Sequence, residues 1–263
     1  MYNIHNSAMT KRLTLLILCI LMGSVCFSQE EQTFSADRPG MSTGTDVMPL
    51  HKVQWETGVA FDWEHRGGAK QETFTINNTL LRYGLTDFAE IRLGMDFQYY
   101  RDRLFDDHIW GVTPLNFGTK IKVYEGTKYL PAVSFLANVV APHLGTKAFC
   151  PTHLAPSMHL LFSNTITDWL GLGYQVGCDW DGFSPVPTTF LAVCFGFSIT
   201  DNLGAFVESY NNFTRWQTPE CSLDFGFNWL VNRKVQLDVA ANINFNEIKN
   251  YANVSMGVAW LIN

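Results

Sequence analysis

A twelve-residue stretch, Val53 to Glu64, limits what the chain can become. Val53, Trp55, Thr57, Val59, Phe61 and Trp63 alternate with Gln54, Glu56, Gly58, Ala60, Asp62 and Glu64. Successive side chains of a strand point to opposite faces, so this is a β-strand with one apolar face and one polar face. It is about twice as long as a usual strand of a soluble sheet. Roughly nine to eleven tilted residues suffice to cross a bilayer. Trp55 and Trp63 close the two ends of the apolar face. At about 3.3 Å per residue and a tilt near 40°, they stand roughly 20 Å apart along the membrane normal, close to the separation of the two aromatic girdles of a membrane barrel.

The same alternation recurs along the chain. Strands are expected at 72–83, 90–98, 114–124, 132–140, 154–163, 170–180, 189–199, 203–210, 221–229, 235–243 and 253–262. Ile91, Leu93, Met95 and Phe97 oppose Glu90, Arg92, Asp96 and Gln98. Leu223, Phe225, Phe227 and Trp229 oppose Asp224, Gly226 and Asn228. The stretch 72–83 is less regular: Phe74, Ile76 and Leu80 share a face that Asn78 interrupts. Short joints recur at Leu85-Thr86-Asp87, Ile166-Thr167-Asp168, Ile199-Thr200-Asp201 and Leu230-Val231-Asn232, where Asp or Asn can bond its own backbone. They alternate with generally longer loops at 101–110, 142–152, 181–187, 211–219 and 244–251. Short periplasmic turns and longer outer loops are the rhythm of a bacterial outer-membrane barrel, and closure removes the open edges that lipid forbids. The expected fold is all-β: a transmembrane antiparallel up-and-down β-barrel of about twelve strands, with the last strand meeting the first at the seam.

Composition agrees. Charged residues are 16% of the chain, below the roughly 25% of soluble domains, while aromatics reach 14%. Lys11 and Arg12 precede an apolar run, Leu13 to Met22, and small residues lead to Ser28. That pattern is a signal peptide over 1–28, with Met9 the more natural start. Residues 29–52 then form an irregular N-terminal segment, either at the periplasmic rim or inside the lumen, and 53–263 form the barrel. Without Lys11 and Arg12 the chain keeps 16 basic and 24 acidic residues, a net of about −8, which argues against nucleic acid as a partner. Cys150, Cys178, Cys194 and Cys221 lack C-x-x-C spacing, so neither zinc nor another cofactor is expected. Cys178 and Cys194 flank one loop and could pair; small buried or lipid-facing thiols are the simpler reading.

The chain resembles the outer-membrane transporter-like family named "putative MetA-pathway of phenol degradation". The resemblance rests on Asp37-Arg38-Pro39, on Pro49 followed by Gln54-x-Glu56-x-Gly58, and on Leu81-Arg82-Tyr83-Gly84-Leu85-Thr86-Asp87 running into Glu90-Ile91-Arg92-Leu93-Gly94. Gly118-x-Lys120, Phe206-Val207-Glu208 and Gln236-Leu237-Asp238 extend it. His51 stands where a glycine is more usual. The resemblance implies a barrel that passes small, often aromatic, molecules; it names no substrate.

The polar faces supply the candidate lumen residues: Glu56, Arg92, Asp96, Lys120, Lys122 and Glu208 as solute-binding candidates, with Arg92, Asp96, Lys120 and Glu208 forming the constriction. Most other inward charges are expected to be paired wall supports. Ser157 and His159 share a strand face, but no nucleophile elbow accompanies them, so a hydrolase barrel is the weaker reading. Asp106-Asp107-His108 reads as a solvated loop rather than a cation site. A soluble secreted binder would need its apolar faces inside. The expected partners are a small solute, outer-membrane lipids and lipopolysaccharide, and the barrel-assembly machinery.

Overall fold

The computed structural model describes residues 34–66, 69–244 and 251–262; the signal-peptide expectation lies outside them. In chain order the strands are β1 (Val53–Arg66), β2 (Ala69–Thr86), β3 (Ala89–Asp102), β4 (Asp107–Val112), β5 (Asn116–Tyr124), β6 (Ala132–Val140), β7 (Ala155–Thr167), β8 (Leu170–Asp179), β9 (Thr188–Ser198), β10 (Leu203–Thr214), β11 (Glu220–Asn232), β12 (Val235–Asn244) and β13 (Tyr251–Leu261). Each strand pairs antiparallel with two neighbours, except β3, which pairs with β2, β4 and β5, and β4, which pairs with one; β1 closes on β13 over eleven partners, from Gln54 opposite Leu261 to Glu64 opposite Tyr251. The result is a closed twelve-stranded barrel. The thirteenth strand, β4, lies outside that ring and pairs only with β3.

Two expectations are corrected. The 101–110 loop is largely strand: β3 runs to Asp102 and β4 begins at Asp107, so that Asp107 and His108 pair with Asp102 and Arg101. β5 takes the lower part of the same β3 edge, Ala89 to Gly94. Pro114, which has no N–H to give a ladder, separates β4 from β5. The faces of β2 are the second correction. A bulge between Thr75 and Asn77 moves the alternation by one residue. Phe74 and Ile76 point out, then Leu81 and Tyr83 do, while Asn78 and Arg82 turn inward. Asn78 therefore interrupts nothing, and Leu80 does not belong to the face of Phe74 and Ile76.

The wall is inside-out relative to a soluble domain. Phe61, Ile91, Phe117, Phe195, Phe227 and Met256 are exposed, whereas Glu56, Arg82, Glu90 and Lys120 are completely buried. Trp55 lies opposite Trp260 near the short-turn end, and Trp169 and Trp229 lie at or beside other short turns; Trp63 stands at the other end of β1. An apolar belt of this extent, bounded by tryptophan, fits lipid and not water. A soluble binder would carry the opposite arrangement. Cys178 and Cys194 are free, on opposite faces of neighbouring strands.

Candidate functional site

Residues 35–48 lie against the polar inner faces of the strands on the short-turn side. The segment is anchored at successive points around the wall. Asp37 and Arg38 donate their backbone N–H groups to the Glu56 carboxylate, at 3.2 and 3.1 Å. Met41 and Ser42 donate theirs to Glu208, at 3.1 and 3.0 Å, and Ser42 Oγ binds the same carboxylate. Thr43 N–H donates to Gln175, and Met48 N–H donates to Glu90 at 2.7 Å. Ser134 Oγ donates to the Thr45 carbonyl. An irregular backbone has orphan polar groups, and the polar inner faces of the strands satisfy them one by one.

The strongest anchor is a six-charge cluster. Arg82 grips Glu90 with two bonds, Nε at 3.0 Å and Nη2 at 2.9 Å, and reaches Glu56 at 3.0 Å. Arg92 binds both Glu90 and Asp37. Lys120 Nζ donates to Asp37 at 3.0 Å and to the carbonyls of Gly44 and Asp46, at 3.0 and 2.7 Å. Three carboxylates, on Asp37, Glu56 and Glu90, thus face three cations, on Arg82, Arg92 and Lys120. A buried charge needs this kind of matched, hydrogen-bonded company. Burial raises the Asp37 pKa, but Arg82, Lys120 and Arg92 outweigh it and hold the carboxyl well below the usual carboxylate range.

Arg38 makes the second anchor. Its guanidinium binds Asp238 at 3.1 and 3.3 Å and Asn78 at 3.0 Å. It lies over Gly58 and Gly257, which are paired across the β1–β13 seam; a Cβ on either would come within 2.6 Å of it. The segment leaves the lumen through a hook at Pro49–Lys52, where His51 adopts φ 60° and its N–H donates to the Gly84 carbonyl. The position that usually favours glycine does take a left-handed conformation. A Cβ on Gly84 would sit 2.0 Å from the Pro49 oxygen.

The six residues expected to bind solute therefore divide. Glu56, Arg92 and Lys120 come together around the segment. Glu208 binds it from the far wall. Asp96 is tied to Arg38 through Asn78, whose Nδ2 donates at 2.9 Å. Lys122 stands apart at the edge, 3.1 Å from Glu125 and 3.8 Å from Asp46. Sequence reasoning did not place Asp37, Arg38 and Arg82 in the site. Asp37 and Arg38 lie in a stretch without period. Arg82 had its own signal: the face assigned to Leu80 would put a guanidinium in lipid.

Beside the segment lies a cavity of about 460 Å³. The N-terminal segment forms one side through Ala36, Pro39, Gly40, Thr43 and Gly44, and β8, β9 and β10 form the other through Gly171, Gly173, Gly196 and Gly204. A Cβ at Gly196 would meet nothing within 4 Å. Toward the long-loop side the lumen is aromatic. Phe190 stacks on Tyr210 at 6.3 Å and meets His159 edge-on at 5.5 Å. His159 Nε2 contacts Asp179 and Nδ1 contacts Gln175, each at 2.9 Å, while Ser157 Oγ accepts from Asn138. Ser157 and His159 are thus each engaged elsewhere. Of the loop aromatics, Phe105 and Trp216 project into solvent, and Trp216 packs under Arg215 at 4.1 Å.

Comparison with known proteins agrees with this architecture. An outer membrane channel from Pseudomonas putida F1 superposes with a TM-score of 0.65 at 11% identity, covering 85% of this chain and 99% of that one. The NanC porin gives 0.54 at 8% identity, over 78% and 98% of the two chains, and the KdgM porin gives 0.51 at 6%, also over 78% and 98%. At these identities the likeness is one of fold. No curated protein matches the chain. Residues 36–261 match the family described as "Putative MetA-pathway of phenol degradation", a span that begins with the lumenal segment and ends with the closing strand, and the chain belongs to that family.

Proposed function

We propose that the protein is a passive outer-membrane channel for a small aromatic solute, narrowed on its periplasmic side by its own N-terminal segment. The observation that carries this is the 460 Å³ cavity between that segment and the glycine wall. Glycine has no side chain to fill the lumen, so Gly171, Gly173 and Gly196, where a Cβ would meet nothing closer than 3.9 Å, keep open a gap that larger residues would close. The volume is that of a small-ligand pocket. Phe190, Tyr210 and Phe206 give the lumen aromatic surface, and the family description links the family to phenol degradation. The constriction is built from backbone and glycine, and most of the charged candidates serve as anchors for the segment. The girdled belt meets lipid and lipopolysaccharide, and insertion of such a wall calls for barrel-assembly machinery.

No chemistry is assigned. A hydrolase needs a histidine nitrogen bonded to its serine, and both His159 nitrogens are engaged elsewhere. Planar-bilayer recording of the purified protein tests the channel. Gly196→Trp grows a side chain into the cavity, so unit conductance is expected to fall while heat-modifiable gel migration is kept. A conductance equal to that of the parent would place the path elsewhere.

A further inference from the structure

We propose that the outer half of the lumen binds the ammonium group of a small aromatic amine between Asp224 and Asn242. This rests on the channel reading and names the class of solute.

One row of the ladder carries the argument. Glu208 pairs with Asp224 across β10 and β11, Asp224 with Asn242 across β11 and β12, Asn242 with Asn253, and Asn253 with Asp62 of β1. The row holds three acids and two amides and no lysine or arginine. In the cluster around Asp37, by contrast, acids and cations are equal in number. The N-terminal segment occupies Glu208. Tyr251 Oη and Asn253 Nδ2 donate to Asp62, at 2.9 and 2.8 Å. Asp224 Oδ1 and Asn242 Oδ1 accept from nothing, although the two residues are only 3% and 5% exposed. Directly paired strand residues hold their Cβ atoms roughly 4.5–5.5 Å apart, so the two orphan oxygens stand on adjacent side chains.

The Asp224 carboxyl has a hydrogen bond from the Phe225 backbone, but its Oδ1 has none, and a buried carboxylate oxygen without a donor is costly. The missing group must donate, must satisfy two acceptors, and gains from carrying positive charge. A primary ammonium, with three N–H donors, does all three. Among the described residues no group of three metal-ligating side chains is present, so a hydrogen-bonding cation suits the pair better than a divalent metal. The aromatic half of the solute is also provided for. Asn242 Nδ2 donates to Tyr210 Oη at 2.7 Å, and the Tyr210 ring stacks on Phe190. Those ring faces suit both a neighbouring aromatic ring and a nearby cation.

The test compares benzylammonium with neutral benzyl alcohol on the full-length protein. Binding is measured by calorimetry in detergent, and block of ionic current in planar bilayers. Benzylammonium is expected to bind and to block at a concentration about tenfold or more below that of benzyl alcohol, the scale of one charge-assisted hydrogen bond. Asp224→Asn is expected to remove most of that difference, and Asn242→Asp, which adds a carboxylate, to widen it. Equal binding of the two probes would overturn the proposal, as would an Asp224→Asn protein that still distinguishes them. If Asn242 turned its amide to donate to Asp224, the pair would be satisfied without solute and neither probe would bind there. Charge-dependent binding without any current would keep the site and refute the channel; current without charge-dependent binding would do the reverse.

Discussion

Replacing Asp37 by Asn should loosen the N-terminal segment from the lumen. With Asp37 ionised, the cluster of Asp37, Glu56, Glu90, Arg82, Arg92 and Lys120 is neutral. The substitution keeps the side-chain shape and removes one negative charge, leaving a net buried cation among groups that are almost or fully shielded from water. Taking away one partner of a buried charge group costs about 3–5 kcal/mol. That cost falls on the plugged state, because withdrawal of the segment lets water reach Arg82, Arg92 and Lys120. At about 1.4 kcal/mol per factor of ten, the ratio of plugged to open protein should fall by roughly a hundredfold or more. The remaining anchors, Arg38 on Asp238 and Ser42 on Glu208, resist release but do not restore the charge balance. Single-channel recording reads the result directly: larger unit steps, or frequent excursions to them, should appear in Asp37→Asn. Asp37→Glu keeps the charge and should behave much closer to the parent. If Asp37→Asn shows the parent's step size and open time, the six-charge cluster does not hold the segment, and the reasoning fails.

Two further outcomes follow from the same geometry. Because Asp37 has a depressed pKa in the folded protein, its stabilising contribution is complete above the unfolded value of about 3.9 and is lost only as pH falls through the lower folded value. The difference in unit conductance between Asp37→Asn and the parent should therefore persist on acidification from pH 7 to about 4, and a difference that vanished between pH 6 and 5 would contradict the assignment. The β2 bulge predicts that Leu81→Lys puts a cation on the lipid face beside Trp55, at up to about 1 kcal/mol near the interface, whereas Leu80→Lys enters the lumen and is milder. Denaturant midpoints in lipid vesicles should fall in that order, and the reverse order would put the alternation back in its unbulged phase.

What the sequence disclosed depended on how each feature is encoded. Alternation with period two is local, so β1, β3 and β8 through β13 could be read residue by residue, and the meeting of the last strand with the first followed from order and closure, though not its register. A bulge breaks that code at a single residue, and the code on each side remains regular. On β2 the phase before Thr75 was extended through Asn78 to Leu80, although Arg82 in the same phase would have faced lipid. That charge was the physical evidence for the slip. The N-terminal segment has no period at all. Its place is written in the opposite wall, in Glu56, Glu90, Arg92, Lys120 and Glu208, which individually resemble pore residues. A wall of carboxylates and cations in a lumen can face water or face a strap of backbone. The two differ only in whether orphan N–H and C=O groups lie within reach, and that is a property of three-dimensional placement. The glycines gave the complementary signal. Gly58 and Gly257 are small because Arg38 lies on them, while Gly196 is small with nothing near it. The same residue type thus marks both where the segment is seated and where the lumen stays open.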